Sequence, residues 1–391
     1  MMQTLHGKLP FLIIYLASFL YALHYALPLY VASTFMGEYV REETVGMIYA
    51  LGSLVTIILF FNMSRILAAF GNYRITLLSI VLEVVSLLGL AIIQSPLLLI
   101  PVFIFNQIIL SVLYLNLNVF LESYSTDGFT GSIRGMFLTI LNIAILIAPF
   151  LAGMMFSDGE FEKIYFAAAL VLAPVFFLIY FTFKGYQDPP YKHVPLWATL
   201  REVSANKNIY GVFVASFLLN FFYAWMIIYT PLYLYKTLGI PLREIVGIIT
   251  PIALIPFVLF QVVMGRLADR KWGEQEMLIG GFVVMAITTG GLTFVTSTNI
   301  YLWALLLFLT RIGASAVETM SETYFFKHVD GTDTHLITLF RNLPPLSFLV
   351  GPIVATMLLT IFDIGYNYLF LVLGALMLLG VYYGLIIKDT K

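Results

Sequence analysis

Long apolar stretches separated by brief polar breaks recur from one end of the chain to the other. Each runs for about 20 residues or more, the length at which an α-helix crosses the hydrocarbon core of a bilayer. The pattern predicts spans at Pro10–Val31, Thr44–Ala69, Arg74–Gln94, Pro96–Ser123, Ser132–Phe156 and Glu162–Lys184. A second set is predicted at Asn208–Lys236, Arg243–Leu267, Glu274–Thr296, Asn299–Phe326, Thr334–Ile361 and Ile364–Lys388. The division between the third and fourth, at Gln94-Ser95-Pro96, rests on length and on the proline. Lipid offers no partner to a backbone N–H or C=O, so these segments must be helices, and the chain reads as an all-α membrane protein. Met1 to Leu9 leads straight into the first span without a small-residue cleavage site, so that helix reads as retained and not as a signal peptide.

Composition supports this. Of 391 residues, 61% are hydrophobic and 10% charged, with a mean hydropathy of +0.97. A soluble domain carries about 25% charged residues. The net charge of -1 gives no electrostatic case for a nucleic-acid partner. The absence of cysteine excludes disulfides, thiolate metal sites and a cysteine nucleophile. The five histidines, His6, His24, His193, His328 and His335, form no HExxH or other paired spacing, which argues against an enzyme and against a bound metal or cofactor. The driving force left open is a proton or ion gradient.

Lysine and arginine set an orientation. One side collects Lys8, Arg65, Arg74, Arg134, Lys184, Lys192, Arg201, Lys207, Arg266, Arg270, Lys271, Lys327, Lys388 and Lys391, and the other only Arg41, Lys163, Lys236 and Arg243. The richer side is expected to be cytoplasmic, with both termini inside a cell (inner) membrane. The longest interhelical loop, Gly185 to Lys207, carries Asp188-Pro189-Pro190. It divides the chain into residues 1–184, a linker at 185–207, and residues 208–391. Leu196 to Val203 within it reads as an interfacial helix. The two parts resemble each other. Pro28-Leu29-Tyr30 matches Pro231-Leu232-Tyr233, and Glu43-Thr44-Val45-Gly46 matches Glu244-Ile245-Val246-Gly247. Glu122-Ser123-Tyr124 matches Glu322-Thr323-Tyr324, and Asn142 matches Asn342. The constant offset of about 200 residues is an internal-repeat signature, and both halves share one orientation, as a parallel repeat of six helices requires.

After the eighth span comes Gly265-Arg266-Leu267-Ala268-Asp269-Arg270-Lys271-Trp272-Gly273. It resembles the loop signature Gly-x-Leu-Ala-Asp-Arg-x-Gly of the major facilitator superfamily, and the resemblance extends over the whole chain through topology, repeat and linker. It implies twelve transmembrane helices in two six-helix halves related by pseudo-two-fold symmetry, around a cavity lined by helices 1, 4, 7 and 10. There are departures. One extra residue precedes Gly273, and Glu274 and Gln275 replace a basic pair. The matching first-half loop, Ser64 to Gly71, carries Ala68 where the family has aspartate. The resemblance implies that Gly265, Arg266, Asp269 and Arg270 form a cytoplasmic gate, with Asp269 facing the start of the fifth helix near Gly131 to Arg134, where unpaired N–H groups favour an anion.

A charge at the bilayer centre costs at least about 2.5–3.5 kcal/mol, so those inside spans are candidates for function. Arg311, Ser315, Glu318 and Glu322 share one face of the tenth helix. The fourth helix carries the equivalent stripe of Gln107, Ser111, Tyr114, Asn118 and Glu122. Arg311 lies about 18 Å from the outer end of its helix, near the midplane. Two readings stay open for it: an anchor for an anionic group or counter-ion to a titrating carboxylate, and a structural pair with Glu318. Glu122 and Glu322 read as gate salt-bridge residues, with Arg65, Arg134 and Arg266 as partners. His24, near Tyr21 and Tyr25, and Glu83 stand isolated in the sequence; a carboxyl in an apolar setting suits a proton carrier, and Glu83 reads as a protonated or hydrogen-bonded packing residue. Arg341-Asn342 precedes Pro344-Pro345, prolines that can hinge the eleventh helix. The expected substrate and proton pathway comprises Arg311, Glu318, Asn118, Ser111, Gln107, His24, Tyr25 and Asn220. The expected activity is secondary transport of a small solute by rocker-switch alternating access, as symport or antiport, by a monomer. The alternative is a non-transporting receptor or scaffold on the same fold.

Overall fold

The computed structural model describes residues 9–124, 130–155, 160–189, 191, 196–260, 263–264, 273–329 and 334–388, the side chains of 130–135, 326 and 334–335 excepted. Twelve of its helices are long and apolar enough to cross a membrane, and they fall where the polar breaks put them. They are α1 (Leu9–Leu29), α2 (Glu42–Phe70), α3 (Asn72–Ile92), α4 (Pro96–Tyr124), α5 (Thr130–Met155) and α6 (Phe161–Thr182). There follow α7 (Lys207–Leu232, continued by a π turn at Tyr233–Thr237), α8 (Leu242–Leu259, with a π turn at Ile245–Ile249) and α9 (Glu274–Gly291). The last three are α10 (Ile300–His328), α11 (Leu336–Thr360) and α12 (Tyr366–Ile386). α11 is interrupted at Asn342, between Arg341 and Leu343, because Pro344 and Pro345 lack the N–H groups that would continue the helix. No strand occurs among the described residues.

The chain forms two compact units, residues 1–40 with 51–193, and residues 41–50 with 194–391. Within the first, α1 packs on α4, α5 and α6, and α3 packs on α4 and α6. Within the second, α7 packs on α10, α11 and α12, and α9 packs on α10 and α12. Adding six to each helix of the first set gives the second, so the sequence repeat is also a repeat of packing partners. In the second unit α9 approaches its neighbours through glycines. A Cβ at Gly313 of α10 would lie 2.6 Å from the Gly281 carbonyl oxygen of α9, and one at Gly374 of α12 would lie 2.7 Å from the Ala286 carbonyl oxygen. Small residues at such crossings let backbones touch, which is how apolar helices gain contact without a hydrophobic driving force.

The loop after α6 is fastened to the first unit. The Tyr186 ring packs against Phe120, Tyr124 and Phe183, and its hydroxyl shares a hydrogen bond with Ser123 Oγ at 2.5 Å. Asp188 Oδ1 accepts from the backbone N–H of Asn72 at 2.7 Å and from the Tyr191 hydroxyl at 2.6 Å. Asn72 is the first residue of α3, so a carboxylate 116 positions away supplies the cap that this helix start lacks locally. Gly71, at φ 80°, turns the chain into α3, and a Cβ there would lie 2.7 Å from Asp188 Oδ2. Burial, and next the Asp188 carboxylate, push the Tyr191 phenol well above its usual range. Further on, Leu196–Ala205 is a helix with Thr199 and Val203 buried and Trp197 81% exposed, the two-faced character expected of an interfacial segment.

Two outcomes are expected. Gly313→Val should destabilise the purified protein by roughly 1–3 kcal/mol, the usual cost of overpacking, seen as a lowered thermal midpoint; an unchanged midpoint would disprove the close crossing. Asp188→Ala should cost about 1 kcal/mol through the lost cap. Because the Tyr191 pKa is raised on folding, its contribution is complete below pH ~10 and is lost as pH rises further. Tyr191→Phe should therefore flatten the alkaline limb of the pH–stability curve.

Candidate functional site

The polar face of α10 begins at Arg311, which is 5% exposed although it carries a permanent charge. Its guanidinium carbon lies 5.0 Å from the ring centroid of Phe222 on α7, a cation–π contact that replaces part of the lost hydration. Ser315, one turn on, is fully buried and donates to the Ile312 carbonyl at 3.0 Å. Glu318 follows, partly buried. Around α7, Trp225 donates through Nε1 to the Gly351 carbonyl of α11 at 2.7 Å. Thus Phe221, Trp225 and Tyr229 of α7 build packing, while Phe222 meets the Arg311 charge.

On α4, Ser111 donates to the Gln107 carbonyl at 3.1 Å and Asn118 to the Tyr114 carbonyl at 2.8 Å. Asn220 on α7 likewise donates to the Ser216 carbonyl at 2.8 Å. These i−4 bonds satisfy one donor of each side chain within its own helix and leave its remaining hydrogen-bonding capacity for other partners. Gln107 Oε1 stands where a Cβ on Gly52 would be, so α2 and α4 meet closely at this level. Tyr25 stacks on Tyr21 at 6.4 Å, and Tyr21 stacks on Tyr114 at 6.1 Å while donating to the Leu110 carbonyl at 2.9 Å.

The reading of His24 and Glu83 as isolated is corrected by the structure. His24 Nε2 on α1 and Glu83 Oε1 on α3 are 3.5 Å apart, and both side chains are 0% exposed. Asn106 on α4 donates from Nδ2 to Glu83 Oε1 at 2.7 Å and to Ser86 Oγ at 3.1 Å, and Ser86 donates to the Glu83 carbonyl oxygen at 2.8 Å. Asn106 and Ser86 were missed in the sequence because a lone Asn or Ser in a span is unremarkable. The available signal was two ionisable residues near the middle of spans in the same half, each needing the other.

At the cytoplasmic ends expected from the charge bias, Glu322 has a partner that the sequence reading did not name: Arg341 binds it through both nitrogens, Nη1–Oε1 at 2.8 Å and Nη2–Oε2 at 3.1 Å. The break at Asn342 leaves Arg341 as the last residue of a short helix, aimed across at α10. Glu122 and Arg65 are both exposed. Gly265, Arg266, Asp269 and Arg270 lie outside the described residues, as does the side chain of Arg134. The acidic departure beside that loop has a physical reason: Glu274 is 3% exposed and pairs with Lys327 of α10, while Gln275 donates to the Gly384 carbonyl of α12 at 3.3 Å. Among the described residues no group of three or more His, Cys, Asp or Glu is arranged to hold a metal ion.

The fork between Arg341 and Glu322 is about 29% and 28% exposed, so it belongs to the weaker, solvent-screened class of ion pair, worth roughly 0–1 kcal/mol. Its value is geometric. Glu322→Arg and Arg341→Glu should each reduce transport in vesicles, and combining them should restore much of it. A double variant no better than the singles would show that the two residues act independently.

The chain matches the family model of the Major Facilitator Superfamily over residues 14–329 and again over 243–390. No curated protein matches it in sequence. Among solved structures, it is similar to a point-mutant form of the nucleoside transporter NupG, with a TM-score of 0.73 and 14% identity, covering 97% of this chain and 100% of that one. A second crystal structure of NupG gives a TM-score of 0.72 and 13% identity over 96% and 98%. With the family model spanning nearly its whole length, and twelve helices whose packing repeats after six, the chain belongs to the Major Facilitator Superfamily and is a secondary membrane transporter.

Proposed function

We propose that this transporter moves a small, acceptor-rich solute across a cell (inner) membrane by alternating access, with both termini cytoplasmic, and that Arg311 is the polar anchor for that solute. The orientation follows from the lysine and arginine bias of the loops. The observation that carries the anchor is a buried guanidinium near the middle of α10, backed by the face of Phe222. An arginine retained at such depth is costly unless it serves a pathway or a bound group. Five fixed donors suit carbonyl, hydroxyl or carboxylate oxygens, and an adjacent ring suits a solute with a flat face. NupG, which shares the fold, carries nucleosides, so nucleosides head the panel of candidates, followed by sugars and carboxylates. The second reading pairs Arg311 with Glu318 on the same face of α10 as a purely structural unit.

The experiment is uptake of radiolabelled nucleosides, sugars and carboxylates into proteoliposomes, with membrane yield measured in parallel. A lost charge-assisted hydrogen bond is worth about 1.5–3 kcal/mol, so Arg311→Ala should lower uptake of the true solute by roughly 10- to 100-fold. If the charge is also balanced by Glu318, the double change to alanine should recover yield but not uptake. Full uptake in the double variant would reduce the pair to structure, and no uptake of any member of the panel by the wild type would defeat the solute class.

A further inference from the structure

We infer that His24 and Glu83 form a proton-binding site inside the first unit, holding one exchangeable proton between an imidazole and a carboxylate that Asn106 and Ser86 position. This deepens the transport reading by naming the proton as the coupling ion.

The placement is the first argument. Glu83 is the twelfth of 21 residues in α3, about 17 Å from its start, and so lies near the bilayer midplane. His24 reaches it from α1 and Asn106 from α4, so three helices converge on one carboxylate. Both ionisable side chains are 0% exposed. The unused valences are the second argument. Glu83 Oε2 and His24 Nδ1 make no hydrogen bond among the described residues. A pair built only for packing would satisfy these atoms, since each buried polar atom left alone is unfavourable. Open valences on both partners of a pair 3.5 Å apart, His24 Nε2 among them, are what a proton, and the water that delivers it, need.

The proton balance follows from charge. A neutral imidazole beside a carboxylic acid and an imidazolium beside a carboxylate contain the same number of protons, and both are neutral overall. Removing that proton leaves one negative charge in an apolar site; adding another leaves one positive charge. The pair therefore titrates as a unit and keeps a single proton while it is dry. Release requires water on one side: an O–H or N–H bond breaks, a hydronium forms, and no electron changes hands. Uptake is the reverse. The titratable neighbour facing the pair among the described residues is Tyr21, edge-on to His24 at 5.2 Å, with Tyr25 and Tyr114 stacked behind it. α4 presents the neutral Asn106, and α3 presents the neutral Ser86. No other acid or base competes for the proton at this level among these groups.

The test needs no transported solute, so its failure and that of the Arg311 reading are separable. Wild type, Glu83→Gln, His24→Asn and Asn106→Leu are reconstituted in phosphatidylcholine vesicles, and infrared difference spectra are collected as the bathing pH is stepped. The wild type should show a buried carboxylic-acid carbonyl band that fades as pH rises, and Glu83→Gln should lack it. His24→Asn and Asn106→Leu should keep the band but hold the proton about tenfold or more tightly, because each removes a group that favours the carboxylate. Identical difference spectra in wild type and Glu83→Gln would overturn the proposal and leave the pair a packing contact. Should Glu83→Gln fail to fold, the other two variants decide: a band that titrates as in the wild type in both would equally overturn it.

Discussion

Hydrocarbon supplies neither donors nor acceptors, and every level of this molecule answers to that fact. It forces the backbone into helices, because only there are N–H and C=O groups satisfied within one segment. It then restricts what the helices can carry. Ser111, Asn118 and Asn220 turn their donors back onto carbonyls of their own helices. Groups that cannot do so converge: Glu83 draws in His24 from one helix and Asn106 from another, Arg311 rests on Phe222, and Glu274 meets Lys327. The tertiary specificity of the bundle is written largely in these encounters, since apolar faces alone are nearly interchangeable in lipid.

The same constraint gives the linker its form. At the membrane surface the first turn of a helix leaves N–H groups without partners. At α3 the missing acceptor comes from Asp188, brought back by the loop that follows α6 and held there by Tyr186 and Tyr191. A segment that composition marks as a flexible connection is in part a structural member of the first unit.

Much of the architecture was legible in the sequence because the relevant signal is long and redundant. Twenty apolar residues between polar breaks identify a span whatever their order, and the prolines at 344 and 345 marked the interruption at Asn342. The site was harder to read. Arg311 and Glu318 announced themselves by helical spacing on one element. The pairing of His24 with Glu83 did not, because it joins helices 59 positions apart and no periodicity links them. Glu322 was assigned partners across loops, whereas Arg341 was available on the neighbouring helix once the proline break turned it. Residues near one another in sequence are readable by pattern; residues joined only by packing need the packing itself.

The glycine crossings of α9 carry a mechanical consequence. Where Gly281 meets Gly313 and Gly374 meets the α9 backbone, main chain lies directly against main chain, with Met285 and Val317 packed beside the contact. Sliding of one helix on another usually proceeds by side chains hopping between rotamers, and a contact of backbone on backbone leaves little room for such hops. α9, α10 and α12 accordingly form a stiff beam within the second unit. Compliance is left to α7 and α8 with their π turns and to α11 with its gap at Asn342, so bending in this unit is concentrated in these irregular turns beside a rigid strut.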